Sequence, residues 1–475
     1  MSIKILYGPS GHGKTEYVYS DIVKEACANS DKKYVFIVPE QSSLQAQKRV
    51  VRMHPSHGVF NIDVLTFGRL CYRVFEELQI ELKETIDDTG KNLIVRKILN
   101  NIKSDFRIIK AGRRQGFVSE MKSMISELKQ YGITPDMLKE IAVSAGSDRL
   151  RDKLEDISLI YSEFENYIRD RFVTVEDKPE LLYRFIDNSD LLKGSTVVFD
   201  GFTGFTPVQY RLIEKIALQA ENIIVTVTIS SPAINNINTD MGMDELFYMS
   251  KDMIRKLGVI ADNVRIPFLM QRIESDHSKY RFRNSPALNF LEENIFRYNG
   301  NTFGGNTEDI HISEHLNGKE EIQYAAAAIL KEVRTHGYRF NDIGVILGDK
   351  DNFANETARI FKESGIPFFM DNKRSLIGNP MVEYIRGIIA LIKERFSYEV
   401  VFRVLKNGLC GFERDKVNIF EDYILAFGIN GFDRYCEKFV RAYKSKEMGL
   451  DVINEVREDF CCLISEFYSD MTKGT

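Results

Sequence analysis

The run Gly8-Pro-Ser-Gly-His-Gly-Lys14-Thr15 constrains the fold more than any other feature of the sequence. It has the spacing G-x-x-x-x-G-K-T, follows the apolar residues 3–7 and precedes a helix-like run at 16–28. Glycines at these positions let backbone N–H groups turn inward around a phosphate. The lysine then reaches the β and γ oxygens, and the threonine hydroxyl can ligate Mg²⁺. The pattern predicts a strand, a phosphate-binding loop and a helix at the start of a nucleotide-binding α/β domain.

A second motif, Val-Val-Phe-Asp200-Gly201 at 197–201, predicts the other half of a magnesium site. An acidic residue at the carboxyl end of a buried strand is what a phosphate-binding loop needs to help hold Mg²⁺, so Asp200 is the Walker B candidate. Helicase-type ATPases usually place glutamate next, where it orients the attacking water. Gly201 has no side chain to do so. The alternative, that Asp200 merely ends a strand, stays open.

The expected ligands are therefore ATP and Mg²⁺. Mg²⁺ would be held by Thr15 and Asp200. We predict that the nucleotide-binding residues are Gly8, Ser10, Gly11, His12, Gly13, Lys14 and Thr15.

Composition limits the class of protein. A net charge of −5 excludes a globally basic nucleic-acid binder, although a local basic groove acts over only about a Debye length and stays possible. The six cysteines contain no C-x-x-C pair, which favours a reduced, intracellular protein. No apolar run approaches membrane-spanning length, and the first strand leaves no room for a signal peptide. We expect a cytoplasmic protein without a membrane segment.

Periodicity predicts two α/β domains, each interrupted by helices. Runs at 34–38, 196–199 and 223–228 predict buried parallel strands, whereas apolar residues at helical spacing fill 80–190. After a polar stretch at 276–306, strands are predicted at 309–313, 342–347 and 366–370, with helices at 319–336 and 354–364. The first α/β domain is thus predicted at 1–79 and 191–305, with a helical insertion at 80–190. Residues 306–395 are predicted to form the first part of the second α/β domain, and residues 396–475 the start of a second helical insertion.

Seven stretches, in order along the chain, carry a resemblance to a known family. They are YGPSGHGKT at 7–15, FIVPEQ at 36–41, LTFGRLCYR at 65–73, GFVSE through SELKQY at 116–131, DGFTGFTP at 200–207, NDIGVI at 341–346 and GIPF at 365–368. With the two interrupted α/β domains, the chain resembles superfamily 1 helicases of the UvrD/RecB type. In detail it is similar to the AddB/RexB component of bacterial ATP-dependent helicase–nucleases.

The resemblance implies a P-loop NTPase fold of two parallel-sheet domains, the second incomplete, with an inactivated helicase site. Counting back from Ile366-Pro367 along an ungapped helix, the arginine that touches the γ-phosphate in active relatives falls at Asn355. In the family, the AddB-type chain binds ATP without driving translocation. An AddA-type subunit is the partner of the heterodimer and its main motor. The complex processes double-strand breaks for recombination, and the canyon of the AddB-type chain recognises a single-stranded recombination hotspot.

Family members run far past this length into a nuclease that carries an iron–sulfur cluster held by four cysteines. No residue of this chain matches that set, so the resemblance indicates an N-terminal fragment. We expect neither the iron–sulfur cluster nor DNA cleavage from these residues.

Residues just after strand ends are the candidates for contact with single-stranded DNA. Gln41 and Ser43 follow one predicted strand, Phe67, Arg69 and Tyr72 follow the next, and Phe202 and Phe205 lie beside the acidic strand. An arginine interleaved with aromatic residues suits base stacking together with phosphate or base-edge contacts. The same pattern also starts many amphipathic helices, and it is the resemblance that favours DNA. The basic cluster Lys110, Arg113 and Arg114 is predicted to be a solvated face.

Three functions remain open on the sequence. The first is a DNA-reading, ATP-binding subunit of a break-processing helicase–nuclease. The second is an autonomous, DNA-stimulated P-loop ATPase or helicase whose general base lies elsewhere. The third is a structural scaffold with a vestigial nucleotide site. ATP turnover separates the first two, and DNA affinity separates the first from the third.

Overall fold

The structure, a computed structural model, describes residues 1–58, 60–81, 83–102, 115–230, 233–234, 237, 242–273, 280–371, 376–441 and 449–473. The chain divides into two compact units, Met1–Ile312 and Ser313–Thr475. The division falls seven residues after the boundary predicted at 305/306. No described helix has the length and apolar composition needed to span a bilayer.

The first unit is built on a parallel sheet of six strands. In chain order, the strands of this unit are β1 (Ser2–Gly8), β2 (Tyr34–Ile37), β3 (Ile62–Leu65), β4 (Glu84–Ile86), β5 (Phe172–Thr174), β6 (Thr196–Phe199), β7 (Asn222–Thr228) and β8 (Phe268–Arg272). The large sheet has the order β3-β2-β6-β7-β1-β8 and every pair in it is parallel, while β4 and β5 form a separate parallel pair. The predicted α/β fold with a parallel sheet is confirmed.

Strand register brings the two chemical motifs to the same edge of the sheet. Gly8 at the end of β1 is aligned with Thr228 of β7, and Phe199 at the end of β6 is aligned with Val225 of the same strand. Because parallel strands all end on one side, the loop after β1 and the acid after β6 emerge together, with only β7 between them.

Helices cover both faces of the large sheet. The first unit contains α1 (Lys14–Ala28), α2 (Ser43–Met53), α3 (Phe67–Glu77), α4 (Asp88–Asn101), α5 (Gln115–Gln130), α6 (Pro135–Val143), α7 (Asp148–Ile168), α8 (Lys178–Phe185), α9 (Pro207–Ala217), α10 (Tyr248–Val264) and α11 (Pro286–Asn294). Alternate residues of β6 serve different cores: Val197 and Phe199 pack on one face, and Val198 on the other. Burial on both faces explains why these strands read as continuous apolar runs.

Local capping chemistry fixes where the helices that frame the edge begin. Thr66 precedes α3, and its hydroxyl accepts a hydrogen bond from the backbone N–H of Arg69. Thr206 and Gln209 form a reciprocal capping box at the start of α9, with Pro207 as the first helical residue. These caps satisfy N–H groups that have no partner within the helix, so each chain segment turns into its helix at a defined residue.

Residues 80–190 contribute α4–α8, the β4–β5 pair and a separate apolar core. The apolar helical spacing predicted here is confirmed for α5 and α7, because Met121 and Ile125 of α5 pack in one cluster with Ile157 and Phe164 of α7. The basic cluster Lys110, Arg113 and Arg114 lies outside the described residues.

Two buried lysines join the helices of this insertion. Lys91 of α4 is 3% exposed, and its Nζ lies 2.8 Å from Glu176 Oε1 and 2.9 Å from Asp88 Oδ1. Lys129 of α5 is similarly buried and pairs with Glu165 and Asp177 at 2.5 and 2.7 Å. Glu176 and Asp177 lie in the short turn between β5 and α8, so the two lysines connect this turn to the helices.

The second unit contains helices and two apolar cores in its described residues. The helices are α12 (Gly318–His336), α13 (Lys350–Glu363), α14 (Pro380–Lys393), α15 (Tyr398–Leu405), α16 (Arg414–Phe427), α17 (Phe432–Cys436) and α18 (Leu450–Lys473). Ile322 and Ile329 of α12 pack against Ile360 and Phe361 of α13, and the helices from α14 onward share the other core. The predicted helices 319–336 and 354–364 are confirmed, although α13 begins four residues early.

The three strands predicted at 309–313, 342–347 and 366–370 are corrected by the structure. Over the described part of these segments no strand is formed, and Ile312, Ile346 and Phe369 are more than 90% exposed. An apolar pattern gives a segment the residues of a strand, but the strand itself exists only through hydrogen bonds to a neighbour. The segments instead run as irregular chain, so the predicted second parallel sheet is not formed here.

Candidate functional site

The glycine-rich loop leaves β1 at Gly8 and enters α1 at Lys14. Gly11 and Gly13 both have a φ of 79°, in the left-handed region that favours glycine. A Cβ atom on Gly11 would lie 3.0 Å from the ring of Phe282 and 3.1 Å from Cβ of Arg281, so a side chain here would also be crowded. The loop ends on the first turn of α1, where unpaired backbone N–H groups and the helix dipole attract an anion.

Lys14 is buried beneath the loop. Its Nζ donates hydrogen bonds to the carbonyl oxygens of Gly8 and Pro9, at 2.9 and 2.7 Å. Burial lowers the pKa of Lys14 from 10.5 to about 8, against the carboxylates of Glu292 and Asp200, which raise it. The ammonium is thus held by two neutral acceptors in a poorly solvated place, which is a position that a bound anion would stabilise.

Thr15, Asp200 and Thr226 form one hydrogen-bonded group. The hydroxyl of Thr15 donates to Asp200 Oδ1 at 3.2 Å, and the hydroxyl of Thr226 donates to the same oxygen at 2.6 Å. Asp200 is 7% exposed at the end of β6, and Thr226 lies on β7. A hydroxyl and a carboxylate oxygen are hard ligands of the kind Mg²⁺ takes when phosphates and water complete its shell. Thr226 was not predicted; the only signal was a hydroxyl within an apolar strand.

The residue after Asp200 has a backbone conformation that favours glycine. Gly201 has a φ of 83°, and a Cβ atom there would lie 3.6 Å from the Pro39 ring. The backbone conformation, rather than crowding, therefore disfavours glutamate at this point. Asn355 lies on α13 in the second unit and is exposed.

An acidic side chain, Glu40, follows the end of β2, one residue beyond Pro39. Its Oε1 accepts a hydrogen bond from the Thr66 hydroxyl at 3.1 Å, which directs the carboxylate toward the end of β3. Glu40 is exposed and follows the strand that pairs with β6.

Two of the residues predicted to contact DNA lie together on the exposed side of α3. Arg69 and Tyr72 line a cavity of about 410 Å³ along β3, the edge strand of the sheet. Lys178 Nζ lies 4.6 Å from the centre of the Tyr72 ring, and the Tyr72 hydroxyl lies 3.4 Å from that of Thr85. Hydrogen bonding to Lys178 lowers the pKa of Tyr72. Asp63 and Arg73, which pair at 3.2 Å, line the same cavity.

The other predicted DNA contacts are placed differently. Gln41 is exposed before α2, whereas Ser43 is buried at its start, where its hydroxyl donates to the carbonyl of Glu40. Phe67 is 7% exposed, and its ring centre lies 5.8 Å from that of Phe202 and 6.4 Å from that of Phe205. The structure thus gives Phe67 a packing role and leaves it no free face for a base, while Phe202 and Phe205 are half-buried over it. The amphipathic pattern of α3 places Phe67 on the inner side.

Residues 280–292, within the stretch predicted to be polar and irregular, pack onto the glycine-rich loop. The ring centre of Tyr280 lies 4.7 Å from that of His12, and the backbone N–H of Arg281 donates to the Gly11 carbonyl at 3.2 Å. Glu292 of α11 accepts a hydrogen bond from the backbone N–H of Ser10, also at 3.2 Å. No spacing links these residues to the loop across more than 260 positions; the only signal was an aromatic pair within a polar stretch.

Comparison with known proteins gives consistent matches. A family model described as "ADDB, N-terminal" matches residues 5–292. Three relatives are each named as the B subunit of an ATP-dependent helicase/deoxyribonuclease. The protein of Lachnoclostridium phytofermentans is 38% identical over 98% of this chain and 41% of its own length. The protein of Clostridium tetani is 34% identical over 99% of this chain and 42% of its own length. The protein of Clostridium kluyveri is 36% identical over 91% of this chain and 37% of its own length. The chain spans about two fifths of the length of these relatives.

Proposed function

This chain belongs to the AddB family, and we propose that it is the ATP-binding and DNA-binding portion of the B subunit of an ATP-dependent helicase–exonuclease. Such an enzyme would process double-strand breaks for recombination together with an AddA-type helicase subunit. Here the first unit would bind ATP with Mg²⁺ without acting as a motor, and its exposed sheet edge would receive single-stranded DNA carrying the hotspot.

The observation that carries the nucleotide proposal is the meeting of the loop with Asp200. Backbone N–H groups at the start of α1 and the Lys14 ammonium provide donors for phosphate oxygens. Thr15 and Asp200, already joined at 3.2 Å, provide two oxygen ligands beside them. Mg²⁺ held there would neutralise phosphate charge. The His12 and Tyr280 rings lie beside this cradle, where a flat base or ribose would find an apolar contact.

The absence of motor activity is inferred from the next residue. Hydrolysis of the γ-phosphate needs a group that positions the attacking water. Gly201 offers none, and its left-handed backbone conformation favours glycine over glutamate at this position. Asn355 lacks the charge that the arginine of active relatives supplies. We therefore expect bound ATP to turn over very slowly.

A second candidate function, an autonomous ATPase, is favoured by one observation. Glu40 is an exposed carboxylate that follows β2, the strand that pairs with the Asp200 strand, so it lies at the same edge of the sheet as the site. Should the chain hydrolyse ATP at a motor rate, that turnover would itself favour the autonomous ATPase, and Glu40→Gln would test whether Glu40 is its general base. Loss of that activity in the variant would assign Glu40 as the general base, and unchanged activity would exclude it.

The DNA proposal rests on Arg69 and Tyr72. Both are exposed at the cavity beside β3, where Tyr72 offers a ring for stacking and Arg69 a guanidinium for phosphate or base-edge contact. The acidic neighbours Asp63 and Glu76 disfavour a dense phosphate track and suit contact with a base instead.

We predict that Tyr72→Ala weakens binding of single-stranded DNA by about 1–3 kcal/mol, similarly for all sequences, because stacking tolerates any base. Tyr72→Phe keeps the ring and should bind like the parent. Arg69→Ala should instead reduce the preference for hotspot-containing strands, by about 1–3 kcal/mol if the guanidinium bonds guanine in bidentate fashion. Fluorescence anisotropy with labelled oligonucleotides measures both effects, and hotspot pausing is followed in the reconstituted complex. Unchanged affinity in Tyr72→Ala together with unchanged preference in Arg69→Ala would remove DNA contact from this cavity.

A further inference from the structure

The glycine-rich loop is already in contact with an anion of the protein itself. Glu292 of α11 accepts a hydrogen bond from the Ser10 N–H, and Arg281, eleven residues earlier, donates its backbone N–H to the carbonyl of the next loop residue, Gly11. The segment from 281 to 292 therefore contacts two successive residues of the loop, once through its backbone and once through a carboxylate.

Glu292 also affects the electrostatic environment of the Lys14 ammonium. Of the acidic side chains that influence the Lys14 ammonium, Glu292 has the largest effect, ahead of Asp200 at the end of β6. Arg281 opposes both. Glu292 is half-buried at the loop, so its charge is only partly screened by solvent. Without nucleotide, the charge of Glu292 thus acts on the Lys14 ammonium, although among the described contacts no ion pair joins the two side chains.

A nucleotide brings three or more negative charges to the same donors. The Ser10 N–H can donate a hydrogen bond to Glu292 or to a phosphate oxygen. A carboxylate and a phosphate that both lie within hydrogen-bonding reach of this N–H repel each other. A bound triphosphate must therefore displace the carboxylate of Glu292 or tolerate it as a near neighbour, and either cost reduces the affinity.

We propose that Glu292 is a resident anion that competes with the phosphates of the nucleotide for the glycine-rich loop. The proposal rests on the proposed nucleotide site and adds to it a built-in control of affinity. Displacement of α11 from the loop raises affinity, and its return lowers affinity, so nucleotide occupancy is coupled to the position of the segment 281–292.

The test compares Glu292→Gln with Glu293→Gln. Glutamine keeps the size of the side chain at 292 and removes its charge. Glu293 is the adjacent residue on the same helix, and it is exposed and accepts a hydrogen bond from Asn289 instead of from the loop. Both variants therefore lose one negative charge from α11, but only one of them loses it at the loop. Equilibrium binding is measured for ATP–Mg²⁺ and for adenosine on the parent and both variants, with thermal unfolding to verify folding.

The expected result is an affinity for ATP–Mg²⁺ about five- to tenfold higher in Glu292→Gln, the size of one partly screened like-charge contact. Adenosine affinity should not change, and Glu293→Gln should bind like the parent. Equal or weaker ATP binding in Glu292→Gln would overturn the competition and leave Glu292 as a support for the loop. An equal gain for adenosine would also overturn it, because the effect would not come from phosphate. If neither the parent nor any variant binds ATP, the proposed nucleotide function fails as well.

Discussion

Lys91→Met is expected to lower the free energy of unfolding by about 3–5 kcal/mol, because it leaves the buried carboxylate of Glu176 without its partner. The side chains of the two residues are 4% and 9% exposed and lie 2.8 Å apart. Burial, the largest single influence, raises the pKa of Glu176. The hydrogen bond and charge of Lys91, together with a backbone hydrogen bond and one from Ser126, outweigh burial, so the pKa lies below its ordinary value. Urea titration followed by circular dichroism measures the loss.

The pH dependence of this effect follows from the two pKa values. The lowered pKa of Glu176 means that its contribution is present above pH 4.5 and is lost as the pH falls through the folded-state value. Burial lowers the pKa of Lys91, but hydrogen bonds to Glu176 and Asp88 raise it above 10.5 overall. Its contribution is therefore present below pH 10.5 and is lost as the pH rises through the folded-state value. The difference between parent and variant should be largest between these limits and should shrink in acid.

Two further variants control this prediction. The double variant Lys91→Met/Glu176→Leu removes both charges and should regain much of the lost stability, since an apolar pair can replace a buried ion pair at little cost. Arg151→Gln breaks the exposed pair of Arg151 with Asp148 in the same insertion, at 2.6 Å, and should cost under about 1 kcal/mol. A Lys91→Met variant no less stable than Arg151→Gln would contradict the structural role of the buried pair.

Lys14→Ala is expected to weaken ATP–Mg²⁺ binding by about 1.5–3 kcal/mol, because it removes a charge-assisted contact to the phosphates. In the structure the ammonium is bound only to the Gly8 and Pro9 carbonyls among the described contacts, so its loss breaks no ion pair of the fold. Isothermal titration calorimetry measures the affinity, and unchanged thermal unfolding of the variant confirms that the loss is local. Parent-like affinity would exclude Lys14 from the site.

The low pKa of Lys14 also predicts that the affinity for ATP depends on pH. Bound phosphates favour the ammonium, whereas in the free protein its pKa is about 8. Binding above pH 8 therefore requires uptake of a proton, and the affinity should fall as the pH rises from about 8 to about 9.5, by up to about tenfold per unit. Phosphate itself has a second pKa of about 6 and does not titrate there. Lys14→Arg, whose guanidinium stays charged, should lose this slope. A parent affinity independent of pH in this range would contradict the role of the ammonium.

Local chemistry made much of the first unit predictable. Continuous apolar runs at β6 and β7 indicated strands buried on both faces, and the capping residue Thr66 and the loop glycines fixed where α3 and α1 begin. Thr15 and Asp200 were paired as magnesium ligands because a phosphate-binding loop needs an acidic residue at a strand end, and the parallel sheet explains why the two side chains meet. Each of these inferences uses neighbours in sequence or the general geometry of parallel sheets.

What could not be predicted depends on contacts between distant segments. Phe67 is an aromatic residue of the kind that stacks on bases, but it is buried because it packs against Phe199 and Phe202. The irregular segments of the second unit have strand-like patterns, and only the presence or absence of a pairing neighbour decides whether a strand forms. The contact of Glu292 with Ser10 joins residues 282 positions apart, and no periodicity or motif carries that information.

The central claim is that the site binds ATP without driving a motor. Measuring ATP binding and ATP turnover on one preparation, with and without single-stranded DNA, tests this claim most directly. We predict saturable binding of ATP–Mg²⁺ that Lys14→Ala weakens, with turnover no faster than about 10⁻² s⁻¹ whether or not DNA is present. DNA-stimulated turnover in the range of about 1–10³ s⁻¹ that is typical of enzymes, abolished by Lys14→Ala, would contradict it.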